Sequence, residues 1–303
     1  MTMSAVVETL PRLKREQVRS RLASTPRLPS LARIHGALQE LLGAENRYIA
    51  QISDVIRRDP SMTTRLLRMA NSVFHGLSTP VSSVEEAVFY LGLRQVRCLV
   101  VATPIVEEFQ AFAGDNNFSW REFWQHCIAT ALLTNELVST LHTQSDEMHY
   151  VGGLLHDVGK IVMASAFPSY FTEIHRRVKE DGHLLLAAES EVLGMDHCEV
   201  GALYLEAHRI PESVIQIARF HHEPEKCPGP NNIVAVVQIA DLLAHSTGVG
   251  GQGLSEASPL AECQEASGWR ILFGEEREQE QSIALASLQR SLDRMPMILE
   301  GLV

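Results

Sequence analysis

The chain has 303 residues, 45% of them apolar, enough for one large or two smaller domains with a sizeable core. A formal charge of −11 and an isoelectric point near 5.6 argue against a broad phosphate-binding surface, so nucleic acid is not expected as a main partner. The first residues lack the order of a secretory signal, and the longest apolar run, Cys98 to Val106, is too short to cross a bilayer. Five dispersed cysteines form no CxxC pair, so a cytoplasmic chain with reduced thiols and no membrane contact is expected.

Apolar residues recur at spacings of three and four and nowhere alternate with period two, which predicts an all-α protein. Residues 5–22 fit a short amphipathic helix, and Pro26-Arg27-Leu28-Pro29 separates it from the next helical pattern. Leu31, Ile34, Leu38, Leu41 and Leu42 form one helix face, and a second helix is expected from Ala44 to Arg58. Asp59-Pro60-Ser61 breaks the pattern, and Met62 to Ser72 resumes it with Leu66, Leu67 and Met69 turned inward. Asn71 and Ser72 read as helix-terminal groups whose side chains close backbone hydrogen bonds. Ser83-Val84-Glu85-Glu86 has the form of a capping box and opens a helix through Leu91-Gly92. Residues 94–113 continue in helix with a kink at Pro104.

Gly114-Asp115-Asn116-Asn117 joins a glycine to turn formers and marks a boundary. Helices are expected beyond it at about 119–142, 146–164, 168–180, 184–194, 197–207, 211–222 and 231–246. Gly248 to Gly253 reads as a flexible loop, the glutamates between Glu256 and Glu280 as solvated surface, and 279–294 as a last helix. The expected organisation is an N-terminal helix or arm (1–25), two helical lobes (26–115 and 116–250) and a C-terminal acidic segment with a helix (251–303).

The chemistry-bearing residues all lie beyond the boundary: His126, then His156-Asp157 with Lys160, then His197, His221-His222 and Asp241. Imidazoles with carboxylates suit Fe, Mn or Zn. A divalent ion acidifies water at neutral pH, and a second can stabilise both the attacking and the leaving oxygen of a phosphoryl displacement, so phosphoester hydrolysis is the reaction this set suits. On a helix, adjacent His156 and Asp157 point about 100° apart, so they share one ion only at a helix end or else reach two different ions. Lys160 stands i+4 from His156 and i+3 from Asp157, as a cation for a phosphate or as a plain solvated residue. His175 and His208 read as ordinary, partly buried histidines, and His183 is a weaker alternative to His197.

In these residues the chain resembles the HDOD family, the HD-related output domains of bacterial signalling proteins, over roughly 20–250. The first-lobe resemblance rests on Leu28-Pro29, Asp59-Pro60-Ser61-Met62, Leu66-Leu67-Arg68-Met69-Ala70-Asn71-Ser72, and Ser82-Ser83 through Ala87 to Leu91-Gly92-Leu93. The second lobe is similar to the HD phosphohydrolase superfamily in Leu155-His156-Asp157-Val158-Gly159-Lys160, Asp196-His197-Cys198-Glu199-Val200-Gly201-Ala202, Phe220-His221-His222-Glu223 and Ala240-Asp241. The resemblance implies an all-helical fold whose second lobe is an HD-type bundle. It makes His126 and His156 ligands, Asp157 a bridging ligand, His197 and His221 or His222 further ligands, and Asp241 the closing carboxylate. Related HD-GYP enzymes carry a glutamate four residues before the first histidine, which points to Glu122 as a ligand. Their Gly-Tyr-Pro signature is absent after His221-His222-Glu223, which argues against cyclic-di-GMP as substrate.

Many HDOD proteins have lost several of these ligands, whereas this chain keeps nearly the whole set. The reading is a bacterial signal-transduction protein binding one or two divalent ions, Fe or Mn favoured over Zn. Its second lobe would hydrolyse a nucleotide or other phosphoester through Asp157 and Lys160, and its first lobe would meet signalling protein partners. The competing reading is a non-catalytic regulatory scaffold acting through protein–protein contacts, with or without a stabilising metal.

Overall fold

The computed structural model describes residues 10–24, 56–57, 60–73, 80–92, 96, 119–141, 147–246, 259–274 and 278–302. Every regular element among them is helical and none is a strand. No helix among them is long and apolar enough to cross a membrane. The expected helix at 31–42, most of those at 44–58 and 94–113 with the Pro104 kink, the Gly114–Asn117 boundary and the Gly248–Gly253 loop lie outside the described residues.

Helix α1 is Arg15–Ser24, starting later than the expected 5–22, because residues 10–14 are not helical and run beside Tyr170 and Leu193. Leu13 N donates to Leu193 O (3.1 Å), Tyr170 donates to Pro11 O (2.8 Å), and α1 buries Val18 and Leu22. Helix α2, Pro60–Val73, takes Pro60 as its first residue, where a missing N–H costs nothing. Asn71 then closes the turn as its polarity predicts: its side chain donates to Val81 O (2.9 Å) and accepts from Val81 N (2.7 Å). Of the inward-facing candidates on α2, Leu66 is buried and Leu67 partly so. The capping box opens α3 (84–92): Glu86 N donates to Ser83 Oγ (3.2 Å), while the glutamate reaches back to Ser82 N rather than Ser83 N (3.2 Å).

Helix α4 is Trp120–Thr140, and its N-cap Ser119 accepts from Glu122 N. Around it lie α5 (Glu147–Leu155), α6 (Val158–Ala166), α7 (Pro168–Asp181), α8 (Leu185–Val192), α9 (His197–Ala207), α10 (Glu212–Phe220) and α11 (Asn232–Ser246). Helices α5 and α11 pack directly on α4, and α1 packs on α9. The continuous helix expected over 146–164 is two helices, with His156 and Asp157 in the turn between them. His156 caps the first by donating Nδ1–H to Gly153 O (2.7 Å).

The C-terminal segment is more than a solvated acidic surface. Its described glutamates stay at least partly exposed, but α12 (Pro259–Glu265) and α13 (Ser267–Phe273) pack on α11 and bury Cys263, Trp269 and Phe273. In sequence the apolar stretch from Trp269 to Phe273 stands between runs dense in Glu and Gln, which masked its burial. Helix α14, Glu278–Leu302, is longer than the expected 279–294 and packs on both α4 and α2, with Ser287 donating to Glu136 (2.6 Å).

Candidate metal centre

Helix ends bring the polar side chains together. His156 and Asp157 occupy the α5–α6 turn, His197 is the first residue of α9, and His221-His222 come directly after the last turn of α10. His126 projects from α4 and Asp241 from α11, the two helices that pack side by side. The approach of α6 to α9 depends on Gly159 and Gly201: a Cβ on Gly159 would lie 1.8 Å from His197 O. That contact sets His197 beside Asp157.

The carboxylate of Asp157 faces two groups of imidazoles. Its Oδ1 lies 3.1 Å from His197 Nε2 and 3.7 Å from His221 Nε2, and its Oδ2 lies 3.5 Å from His156 Nε2 and 3.8 Å from His126 Nε2. Asp241 Oδ1 completes the second of these groups, 2.9 Å from His126 Nε2 and 3.4 Å from His156 Nε2. His222 joins the first, its Nε2 3.3 Å from His197 Nε2.

Tautomers decide what these short distances mean. His156 Nδ1 faces Gly153 O, His221 Nδ1 faces the carbonyls of Ile217 (3.2 Å) and Ala218 (3.1 Å), and His197 Nδ1 faces Glu189 Oε2 (2.8 Å). Oxygen can only accept there, so Nδ1 carries the hydrogen and, in the neutral ring, Nε2 presents a lone pair to the centre. Lone pairs of nitrogen and carboxylate oxygen therefore converge. Asp157 Oδ1, Asp241 Oδ1 and His221 Nε2 are buried without an aligned hydrogen bond, even though ring nitrogens stand close to both oxygens. Metal–ligand bonds of about 2.1 Å put neighbouring donors about 3.0 Å apart at right angles and about 3.4 Å at the tetrahedral angle. The observed spacings are those of donors around a cation, and the residues fit a divalent metal.

Electrostatics point the same way. Burial drives His126 and His222 down to about 4, with His245 adding to the effect on His126 and His197 to that on His222; burial also drives His221 well below its usual range. Burial opposes charge on His156 too, but Asp157 and Asp241 outweigh it and raise that ring. His197 is raised against burial by Cys198, Glu189 and Asp157. Burial likewise disfavours ionised Asp157 and Asp241, yet Lys160 and the histidines hold Asp157 well below the usual carboxylate range, as His245, His126 and His156 hold Asp241. The carboxylates beside His156 and His197 thus favour a proton on these two rings, against the effect of burial.

The structure thus gathers His126, His156, Asp157, His197, His221, His222 and Asp241, with Lys160 bound to Asp157. Glu122 is not among them: it is exposed in the first turn of α4, one turn from His126 and outside the donor cluster. His183 is exposed near Glu191, away from the centre. His175 donates to Phe171 O (2.9 Å), as a structural histidine does. Lys160 is buried rather than solvated.

Sequence reasoning missed four residues. Buried Glu189 accepts from both His197 N (2.9 Å) and Nδ1, fixing that ring. Gln238 donates to His222 O (2.8 Å) and accepts from Gly268 N (2.7 Å), tying α13 to the His221-His222 turn. Cys198 places its sulfur within 4.8 Å of donor atoms of His197, His221 and His222, and His245 stands beside Asp241. Only His245 had a legible signal, its i+4 spacing from Asp241.

Comparison with known proteins agrees with this architecture. Residues 28–224 match the family model described as HDOD domain. An uncharacterized protein of Treponema pallidum (strain Nichols) is 28% identical over 233 residues, 74% of this chain and 43% of that protein, so the chain spans less than half the length of this relative. Among solved structures, an HDOD domain protein with unknown function from Geobacter sulfurreducens is 24% identical, with a TM-score of 0.73 over 98% of this chain and 94% of its own. A protein from Shewanella amazonensis SB2B, provisionally named a phosphohydrolase, is 22% identical, with a TM-score of 0.69 over 94% of this chain and 98% of its own. At these identities the two structures speak for the fold.

Proposed function

The chain belongs to the HDOD family, and from that premise we propose that its second lobe holds divalent metal in the His/Asp cluster and hydrolyses a phosphoester, within a bacterial signalling protein. One observation carries the reading: the two oxygens of buried Asp157 face two groups of imidazole Nε2 atoms at ligand–ligand spacings. Two donor groups sharing one carboxylate suit two ions; Fe or Mn fit the nitrogen and oxygen donors, with Zn as the alternative.

A divalent cation there supplies Lewis acidity, acidifying water and offsetting charge on phosphoryl oxygens. The protein's own side chains do the rest. Glu189 and the carbonyls of Gly153, Ile217 and Ala218 orient the rings. Lys160, with Nζ at Asp157 Oδ2, keeps that carboxylate ionised and aimed; this makes it a positioning residue, where the sequence suggested a phosphate contact. His222, partly exposed, closes the His197 donor group on its solvent side. The substrate class is a nucleotide or other phosphoester.

The competing reading, a non-catalytic module acting through protein contacts, also has an observation behind it: the Lys160–Asp157 pair neutralises the bridging carboxylate without metal. Metal content of untagged protein separates the two. Near-stoichiometric Fe, Mn or Zn, lost in Asp157→Ala, with metal-dependent multiple turnover of bis(p-nitrophenyl) phosphate, is the expected result. A wild-type protein that stays metal-free after reconstitution sinks the enzymatic reading and leaves the module.

A further inference from the structure

Asp241 Oδ1 is ringed by three imidazoles, of which the proposed metal centre uses two. His126 Nε2 stands at 2.9 Å, His156 Nε2 at 3.4 Å, and the third, His245 Nε2, also at 3.4 Å. None of the three makes an aligned hydrogen bond to that oxygen, which remains buried and unsatisfied. The donor atoms of His126, Asp241 and His245 all lie within 4.8 Å of one another. The His245 ring lies over that of His126, centroids 4.1 Å apart and planes 30° apart, so both rings are presented to the same side. Helix α11 produces this arrangement, since one turn separates Asp241 from His245 and puts them on one face. The His245 side chain is 32% exposed, which puts it on the solvent side of the cluster.

We propose that His245 is a further metal ligand, completing the group formed by His126, His156, Asp241 and Asp157 Oδ2. This rests on the proposed metal centre and extends it to the choice of ion. Five protein donors leave one position of an octahedron open. That suits six-coordinate Fe or Mn, whereas tetrahedral Zn would leave donors unused.

The test loads the full chain with Co(II) and compares wild type, His245→Ala, His245→Phe and His156→Ala by chelator competition and visible absorption. His245→Phe keeps the ring stack on His126 and removes only the nitrogens. Both His245 variants should hold one ion about tenfold or more weakly, with an altered absorption spectrum for that ion and unchanged helical circular dichroism. If His156→Ala loses the ion while both His245 variants keep wild-type affinity and spectrum, His245 is a surface ring and the inference fails with the metal centre intact. If affinity falls but the spectrum does not change, His245 acts only on Asp241 and the ligand assignment is overturned. If wild type takes up no Co(II), the ligand assignment and the metal centre both fall.

Discussion

Lys160 Nζ lies 2.5 Å from Asp157 Oδ2, and both side chains are buried at the start of α6. The interrupted helix makes this possible: Asp157 is the N-cap of α6, its side chain makes no capping hydrogen bond, and Lys160 one turn later meets it from the same helix. The carboxylate that faces both donor groups is thus ionised and oriented before any cation arrives.

Lys160→Met should expose the cost of that pairing. It removes the cation paired with buried Asp157 and leaves only the neighbouring imidazoles to offset its charge, and breaking a buried pair by removing one partner costs about 3–5 kcal/mol. The metal-free variant should therefore unfold at lower denaturant, and metal should restore part of the loss, because a cation takes over the missing positive charge. Denaturant titration with and without metal measures both. Equal stability of the metal-free variant and wild type would refute the role given to the pair.

The pH dependence of the metal-free protein arises from opposed shifts. His126, His221 and His222 have lowered values, so their contribution is present above the unfolded value of 6.5 and is lost as pH falls toward about 4. His156 and His197 have raised values, so theirs is present below 6.5 and is lost as pH rises through the folded values. Metal-free stability should therefore peak at about pH 6–7 and decline on both sides. Metal displaces the protons of His156 and His197, so uptake should release about one to two protons near neutrality and tighten with rising pH. Calorimetry in buffers of different ionisation enthalpy reads the release; uptake without proton release contradicts the charge state assigned to the two rings.

Gly159→Ala tests whether the α6–α9 contact sets the site. The added Cβ would fall 1.8 Å from His197 O, which is backbone and cannot turn aside. The helices must separate, at a cost of about 1–3 kcal/mol, and His197 must move from Asp157, weakening metal binding. Gly182→Ala is the control. Its Cβ would meet nothing within 4 Å, and only the left-handed φ of +72° is strained, so thermal stability should fall slightly and metal binding not at all. Equal effects of the two substitutions on metal binding would rule the contact out as what sets the site.

The all-helical fold was legible because the 3–4 spacing of apolar residues persists from α2 to α11, and the residues that cluster were legible because His156-Asp157, His197 and His221-His222 stand in motifs. The break at His156-Asp157 was not legible: apolar periodicity runs straight through Val151, Leu154, Leu155, Val158 and Ile161, all buried, on both sides of the turn. Glu122 was misplaced for the converse reason. One turn of helix does bring residues i and i+4 together, but α4 turns His126 into the core from a position where Glu122 is still at the exposed helix end. Glu189 had no sequence signal, since its function depends on α8 lying beside the start of α9 and not on any spacing along one helix.

Glu189 gives the sharpest test of how the donor group of His197, His221 and His222 is assembled. Its Oε2 accepts from His197 N and from His197 Nδ1, so one carboxylate oxygen fixes both the helix start and the ring. Glu189→Gln keeps the size and removes the charge, and the amide can offer only its oxygen to two donors that now meet a weaker acceptor. His197 Nε2 becomes a poorer donor in a less fixed ring, and loss of such a supporting carboxylate weakens metal binding about 10- to 100-fold. The effect should fall on the ion held by His197, His221 and His222, while the ion at His126, His156 and Asp241 keeps its affinity, because Glu189 touches none of those three. Chelator competition on the variant should therefore turn one class of binding into two. A uniform loss at both ions would mean that Glu189 supports the lobe as a whole, and no loss would mean that His197 is held by α9 alone.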